Sequence, residues 1–132
     1  MGNDELSELY RKYPELLPKK NIIKCGKGLY KIIEEMLGAI NIYQDANLEK
    51  SKTLPVVFNT IEARYSGLEI DYSGGNGVVR HIVSFTEKLS FKTCELCGKV
   101  GSLYCSTKWM HWSHKKTLCN KHAVELFYYT LT

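Results

Sequence analysis

The chain has 132 residues, with 18 Lys plus Arg against 14 Asp plus Glu, a formal charge of +4, 44% hydrophobic residues and 24% charged ones. This is the composition of one globular domain, or of one domain with a small appendage, and it excludes a disordered chain. The surplus is too mild, and too free of long Lys/Arg runs, for a histone-like DNA packer, and no stretch approaches the roughly 18 apolar residues of a transmembrane helix.

The first eight residues, Met1 to Glu8, are polar and acidic rather than a secretory signal, so a cytoplasmic protein with no membrane association is expected. Asp4 to Tyr13 reads as a short helix ended by Pro14, and Tyr13-Pro-Glu-Leu-Leu-Pro18 as an irregular, extended link. Leu29, Ile32, Ile33, Met36, Leu37, Ile40 and Tyr43 then recur at helical spacing. That predicts the principal helix over 28–45, packed by this stripe, with Lys31, Glu34, Glu35 and Asn41 on the other face. Cys25, in Lys24-Cys-Gly-Lys-Gly28 before that helix, is a packing cysteine or, given its lysines, a thiol of lowered pKa.

After a polar connection over 47–53, two β-like runs are predicted, Val56 to Tyr65 and Leu68 to Tyr72, the second alternating apolar with acidic residues. Ser73-Gly-Gly-Asn-Gly77 leads into a second helical pattern through Val78, Val79, Ile82, Val83 and Leu89. A Gly-rich loop at this place can cradle phosphate, but this one lacks both P-loop and G-x-G-x-x-G spacing and reads as a strand-to-helix turn. Residues 1–91 therefore form a small α+β body of helix, β-hairpin and helix.

Four of the five cysteines and three of the four histidines fall after residue 93. An odd count without a secretory signal does not describe a disulfide framework. Cys94-Glu-Leu-Cys97-Gly98 is a C-x2-C knuckle that points two sulfurs at one ion, with Gly98 allowing the turn. Cys119 and His122 stand three apart at the start of a helix predicted over Ala123 to Tyr129, so they share a face. Between the pairs lie two β-prone stretches, Gly101 to Ser106 and Lys108 to Ser113. Knuckle, hairpin and ligand-bearing helix make residues 92–132 a treble-clef-like zinc module. Its Cys94, Cys97, Cys119 and His122 fill the four positions of one structural Zn2+ and leave none for water. Cys105, His111 and His114 are hairpin residues that could substitute for a ligand.

Residues 1–90 hold equal numbers of basic and acidic side chains, so the surplus of +4 belongs to the last segment. There Lys108, Trp109, His111, Trp112, His114, Lys115 and Lys116, with Lys121 beyond them, interleave aromatic and basic groups. Such a surface suits nucleic acid through phosphate contacts and stacking. It equally suits a protein or nucleoprotein surface, or is a solvated lysine face with both tryptophans covering the zinc core. His111, His114, Asn120 and His122 invite comparison with His-Asn-His nucleases, but no acidic residue is placed to hold a hydrolytic metal. The aromatic terminus, Phe127-Tyr-Tyr129, could pair with another chain or pack on the body.

Several segments together resemble a set of small phage and prophage proteins. These are Cys25-Gly-Lys-Gly-Leu-Tyr30, Tyr65-Ser-Gly-Leu-Glu-Ile-Asp-Tyr-Ser-Gly-Gly75, Cys94-x2-Cys97-Gly98 and Thr117-Leu-Cys-x2-His122. The similarity spans roughly 13–123; the run between the metal pairs departs from it. The resemblance implies mobile-element origin and a zinc site, without an established activity. The expectation is a non-catalytic, zinc-stabilised protein of a bacterial host's cytoplasm. It binds, and by binding inhibits, a host protein or nucleoprotein such as a CRISPR defence effector. The alternative is a nucleic-acid-binding regulator, and after it an HNH-like nuclease.

Overall fold

The computed structural model describes residues 2–47, 54–64, 67–106, 115–125 and 128–130. It is an α+β chain. Helix α1 spans Gly2–Lys12, strand β1 Ile23–Lys24, helix α2 Tyr30–Asn47, strands β2 and β3 Val57–Arg64 and Gly67–Ser73, and helix α3 Gly77–Ser90. The C-terminal part adds strands β4 (Ser102–Ser106) and β5 (Lys115–Leu118), helix α4 (Asn120–Glu125) and strand β6 (Tyr128–Thr130).

The first sheet has the order β1-β2-β3. β1 runs parallel to β2, with Ile23 opposite Ile61, and β2 runs antiparallel to β3, with Ile61 opposite Ile70 and a bulge between Phe58 and Thr60. The helical stripe foreseen on α2 buries Ile33, Met36, Leu37 and Ile40 against Phe58, Ile61, Leu68, Val79 and Val83. A 3-10 turn over Lys27–Leu29 precedes the helix, so regular α geometry starts two residues later than the periodicity predicts.

The proline-flanked link is irregular but not extended: 14–16 form a turn in which the Leu17 N–H donates to the Tyr13 carbonyl at 2.9 Å, and Leu16 and Leu17 are buried in the core. The carbonyl of Leu16 accepts from the Phe58 N–H at 3.0 Å, and the Tyr10 hydroxyl accepts from the N–H groups of Ile22 and Ile23, both at 2.9 Å. These bonds tie α1 and the link to the sheet's first edge. On the opposite edge, the Ser90 hydroxyl accepts from the Leu68 N–H (2.8 Å) and the Glu87 carboxylate from that of Ile70 (3.1 Å). Side chains of α3 thus take up β3 donors that no further strand pairs.

The glycine loop is the strand-to-helix turn foreseen for it. Gly74 and Gly75 adopt φ of +81° and +80°, where a side chain is strained, and a Cβ on Gly74 would lie 2.1 Å from the Pro55 carbonyl oxygen. Asn76 caps α3, its side-chain oxygen accepting from the N–H groups of Val78 (3.0 Å) and Val79 (3.4 Å). Those donors are therefore engaged internally.

The second sheet has the order β5-β4-β6, antiparallel throughout. Two expectations change here. The partner of β4 lies at Lys115–Leu118, whereas the stretch Lys108–Ser113 lies outside the described residues. The last helix begins at Asn120 and ends at Glu125, and Tyr128 to Thr130 form β6 rather than continuing it. Tyr and Thr favour a pleated strand over a helix, and the free edge of β4 offers a ladder in which Cys105 pairs with Tyr129. The aromatic terminus thus finds a strand partner within its own chain. Among the described residues, no helix is long and apolar enough to cross a membrane.

Candidate metal centre

The chain leaves α3 through Phe91 and Lys92 and enters the knuckle at Cys94, which has no exposed surface. An isolated bridge between Thr93 and Val100 closes the knuckle's base. The N–H of Gly98 donates to the Cys94 carbonyl at 2.9 Å, and that of Cys94 to the Lys99 carbonyl at 2.7 Å. Gly98 takes φ +82°, the left-handed turn for which a glycine was expected after the second cysteine. From the other side, the Ala123 N–H donates to the Cys119 carbonyl at 2.9 Å, opening α4 so that His122 comes round beside Cys119.

Two thiols from the knuckle, the thiol of Cys119 and the imidazole of His122 meet at the centre. The donor atoms of Cys94, Cys97, Cys119 and His122 all lie within 4.8 Å of one another. The Sγ atoms of Cys97 and Cys119 are 3.7 Å apart, and His122 Nδ1 lies 3.5 Å from Cys94 Sγ and 3.3 Å from Cys119 Sγ. An ion bound tetrahedrally at the usual metal–sulfur and metal–nitrogen lengths requires edges of about 3.7 Å between sulfurs and about 3.6 Å between sulfur and nitrogen. The donor set could therefore bind a metal ion, and these three separations lie near the edges that N/S ligation requires. A disulfide would need sulfurs about 2.05 Å apart, and the thiols are free.

The local electrostatics favour a cation. Burial opposes ionisation of Cys94, but N–H groups of Cys119, Leu96 and Cys97, together with His122, outweigh it and bring the thiol down to about 6. At Cys97 the Lys99 N–H favours the thiolate, yet slight desolvation and the neighbouring sulfurs of Cys94 and Cys119 win and raise its pKa. Crowded sulfurs that resist joint ionisation are relieved by a positive ion among them. Among the described residues the cluster consists of three thiols and one imidazole, and Nδ1 of His122 lies against two of the sulfurs.

Of the other residues singled out from the sequence, Lys108, Trp109, His111, Trp112 and His114 lie outside the described residues. Lys115 and Lys116 sit in β5, opposite Cys105 and Tyr104 of β4, and Lys121 is exposed on α4. Cys25 is half-buried against the body's core. Burial first, and then the Glu95 carboxylate, push its thiol up to about 12, so it is a packing residue and the lowered-pKa reading is overturned.

Sequence reasoning missed the seam between Cys25-Gly-Lys-Gly28 and the knuckle. The Gly28 N–H donates to the Glu95 carbonyl at 2.9 Å. A Cβ on Gly28 would lie 2.3 Å from the Cys94 carbonyl oxygen, and one on Gly26 the same distance from that of Glu95. Only residues without a side chain let the two backbones approach this closely. The Glu95 N–H in turn donates to the Thr117 carbonyl (3.0 Å), linking the seam to β5. Two glycines flanking one residue just before an amphipathic helix were the available signal.

Comparison with protein-family models, with curated proteins and with solved structures returned no match.

Proposed function

We propose that Cys94, Cys97, Cys119 and His122 hold one structural zinc ion in a non-catalytic binding protein directed against a host protein or nucleoprotein. The observation that supports the metal assignment is the convergence of the four donor atoms within 4.8 Å of one another, with the Cys97–Cys119, Cys94–His122 and Cys119–His122 separations near the edges of an N/S tetrahedron. Three thiols and one imidazole favour zinc over the hard, oxygen-seeking cations. Four protein ligands leave no coordination position for water, and this argues for a structural ion and against hydrolysis.

The target class rests on the resemblance to small phage and prophage proteins, for which a host defence complex such as a CRISPR effector is a fitting object of inhibition in the bacterial cytoplasm. Elemental analysis of the purified chain is expected to give about one zinc per molecule, lost in Cys119→Ala. Substoichiometric zinc together with iron or another metal would reject the zinc assignment. Affinity capture from a bacterial host, compared between the native chain and Cys119→Ala, tests the target class. Recovery of a discrete host complex by the native chain alone supports it.

The exposed lysines Lys92, Lys99 and Lys121 around the knuckle favour one second reading, a nucleic-acid-binding regulator. That reading expects micromolar DNA or RNA binding that weakens steeply with salt. Absence of binding at low salt would eliminate it.

A further inference from the structure

Helices α2 and α3 run antiparallel. At one end the loop leading into α2 bonds to Glu95, just beyond α3; at the other, the Asn76 amide that caps α3 donates to the Tyr43 hydroxyl of α2 at 2.7 Å. Between them lies an open groove of about 670 Å3, floored by Ile32, Met36 and Ala39 of α2 and by Ile82 and Leu89 of α3. Phe85 stands on its margin and is 63% exposed; Val78, at the far end, is 44% exposed. Ile42, one helical turn beyond Ala39 and 71% exposed, continues the apolar strip.

The charged margins differ in sign. Glu35 borders the groove from α2, while Lys88 and the titratable His81 border it from α3. Glu35 and Lys88 are both exposed, and neither makes an ion pair among the described residues.

We propose that this face is a self-association surface, on which two copies of the chain pack about a twofold axis running along the groove. The face is self-complementary, and this is what selects a second copy over an unrelated helix. It carries both an apolar groove and, on the margin, a ring that can fill one. It also carries an acid on one helix and bases on the other. A twofold axis along the groove lays α2 of each copy over α3 of the other. Each Phe85 then enters the opposite groove, and each Glu35 meets a Lys88, twice over by symmetry. Stacking α2 on α2 would instead oppose like charges at Glu35. The 14 residues of α3 give the face a length of about 21 Å, and two such faces bury of order 1,000 Å2, the low end for a specific contact, so micromolar association is expected.

Sedimentation equilibrium of the full-length chain, as purified, over about 1–200 µM tests this. The native chain is expected to move from monomer to dimer across that range, and Phe85→Asp to remain monomeric throughout. Glu35→Lys and Lys88→Glu are each expected to weaken association about tenfold, and the two combined to restore it. All three positions are exposed, so circular dichroism should match the native chain. A monomer at the top of the range, or a dimer indifferent to Phe85→Asp, overturns the proposal. So does a double charge variant as weak as the single ones.

Discussion

The body and the C-terminal region are built around two different kinds of buried centre. The body buries a continuous core from Leu9 to Val83, in which Ile33, Leu37, Ile40 and Ile61 have no exposed surface. In the C-terminal region, the buried apolar cluster among the described residues consists of Cys94, Leu118 and Ala123, and one of these three is a candidate ligand. Burying aliphatic side chains returns about 1.5–3 kcal/mol each, which holds the body together. Leu118 and Ala123 share this cluster with Cys94, so a metal ion held by the four donors would order it from within. The electrostatics divide along the same line: the body is balanced and the basic surplus lies with the metal ligands.

Removing the metal should break this comparison most visibly. Chelation, or Cys119→Ala, is expected to cost the C-terminal region of order 10 kcal/mol of coupled binding energy. Hydrogen exchange should then show protection lost at Leu118, Ala123 and Gly28 but retained at Ile40 and Ile61. Equal loss at all five would mean that coordination holds the body as well. In the opposite direction, Ile40→Ala empties a fully buried position and should lower body stability by about 3 kcal/mol in urea titration, with metal content unchanged.

Gly28→Ala tests the join. Its Cβ would collide with the Cys94 carbonyl, and a loss of about 2 kcal/mol is expected together with faster metal release to a chelator. A lowered melting temperature without faster release would place the strain on the body side alone. Asn76→Ala removes the cap of α3 and should cost about 1 kcal/mol, read as a lowered denaturation midpoint, without affecting the metal.

The smallest effect concerns Cys25. Its folded pKa is raised from 9.0 to about 12, so the contribution of the neutral thiol is fully present below pH 9 and is lost as pH rises towards 12. Alkylation by iodoacetamide at mildly alkaline pH should accordingly be slow in the native chain and fast once it is unfolded.

Much of this was legible in the residues themselves. The period of α2 is visible because one face of a helix meets the core at every turn, and β3 because Leu68 and Ile70 alternate with Glu69 and Asp71. The four clustered donors are readable because a C-x2-C knuckle and a Cys–His pair three apart leave little freedom in where they point. β5 was not readable: Lys115 and Lys116 carry no apolar alternation, and the strand exists because β4 lies beside it and Thr117 and Leu118 are buried. β6 depends likewise on the edge of β4, a tertiary circumstance that local propensity does not encode. The glycine seam escaped for the same reason, since its partner, the backbone of Cys94 and Glu95, lies roughly half a chain further on.

That distance orders events during synthesis. Gly28 leaves the ribosome roughly half a chain ahead of Glu95, the residue to which its N–H is bonded. The entrance to the body's main helix is therefore translated early and completed late, once the cysteine pair has emerged. A nascent chain stalled or truncated before residue 94 would carry most of the body's apolar side chains but an unfinished helix entrance. Such a fragment would leave the Gly28 N–H without the Glu95 carbonyl that it bonds in the complete fold.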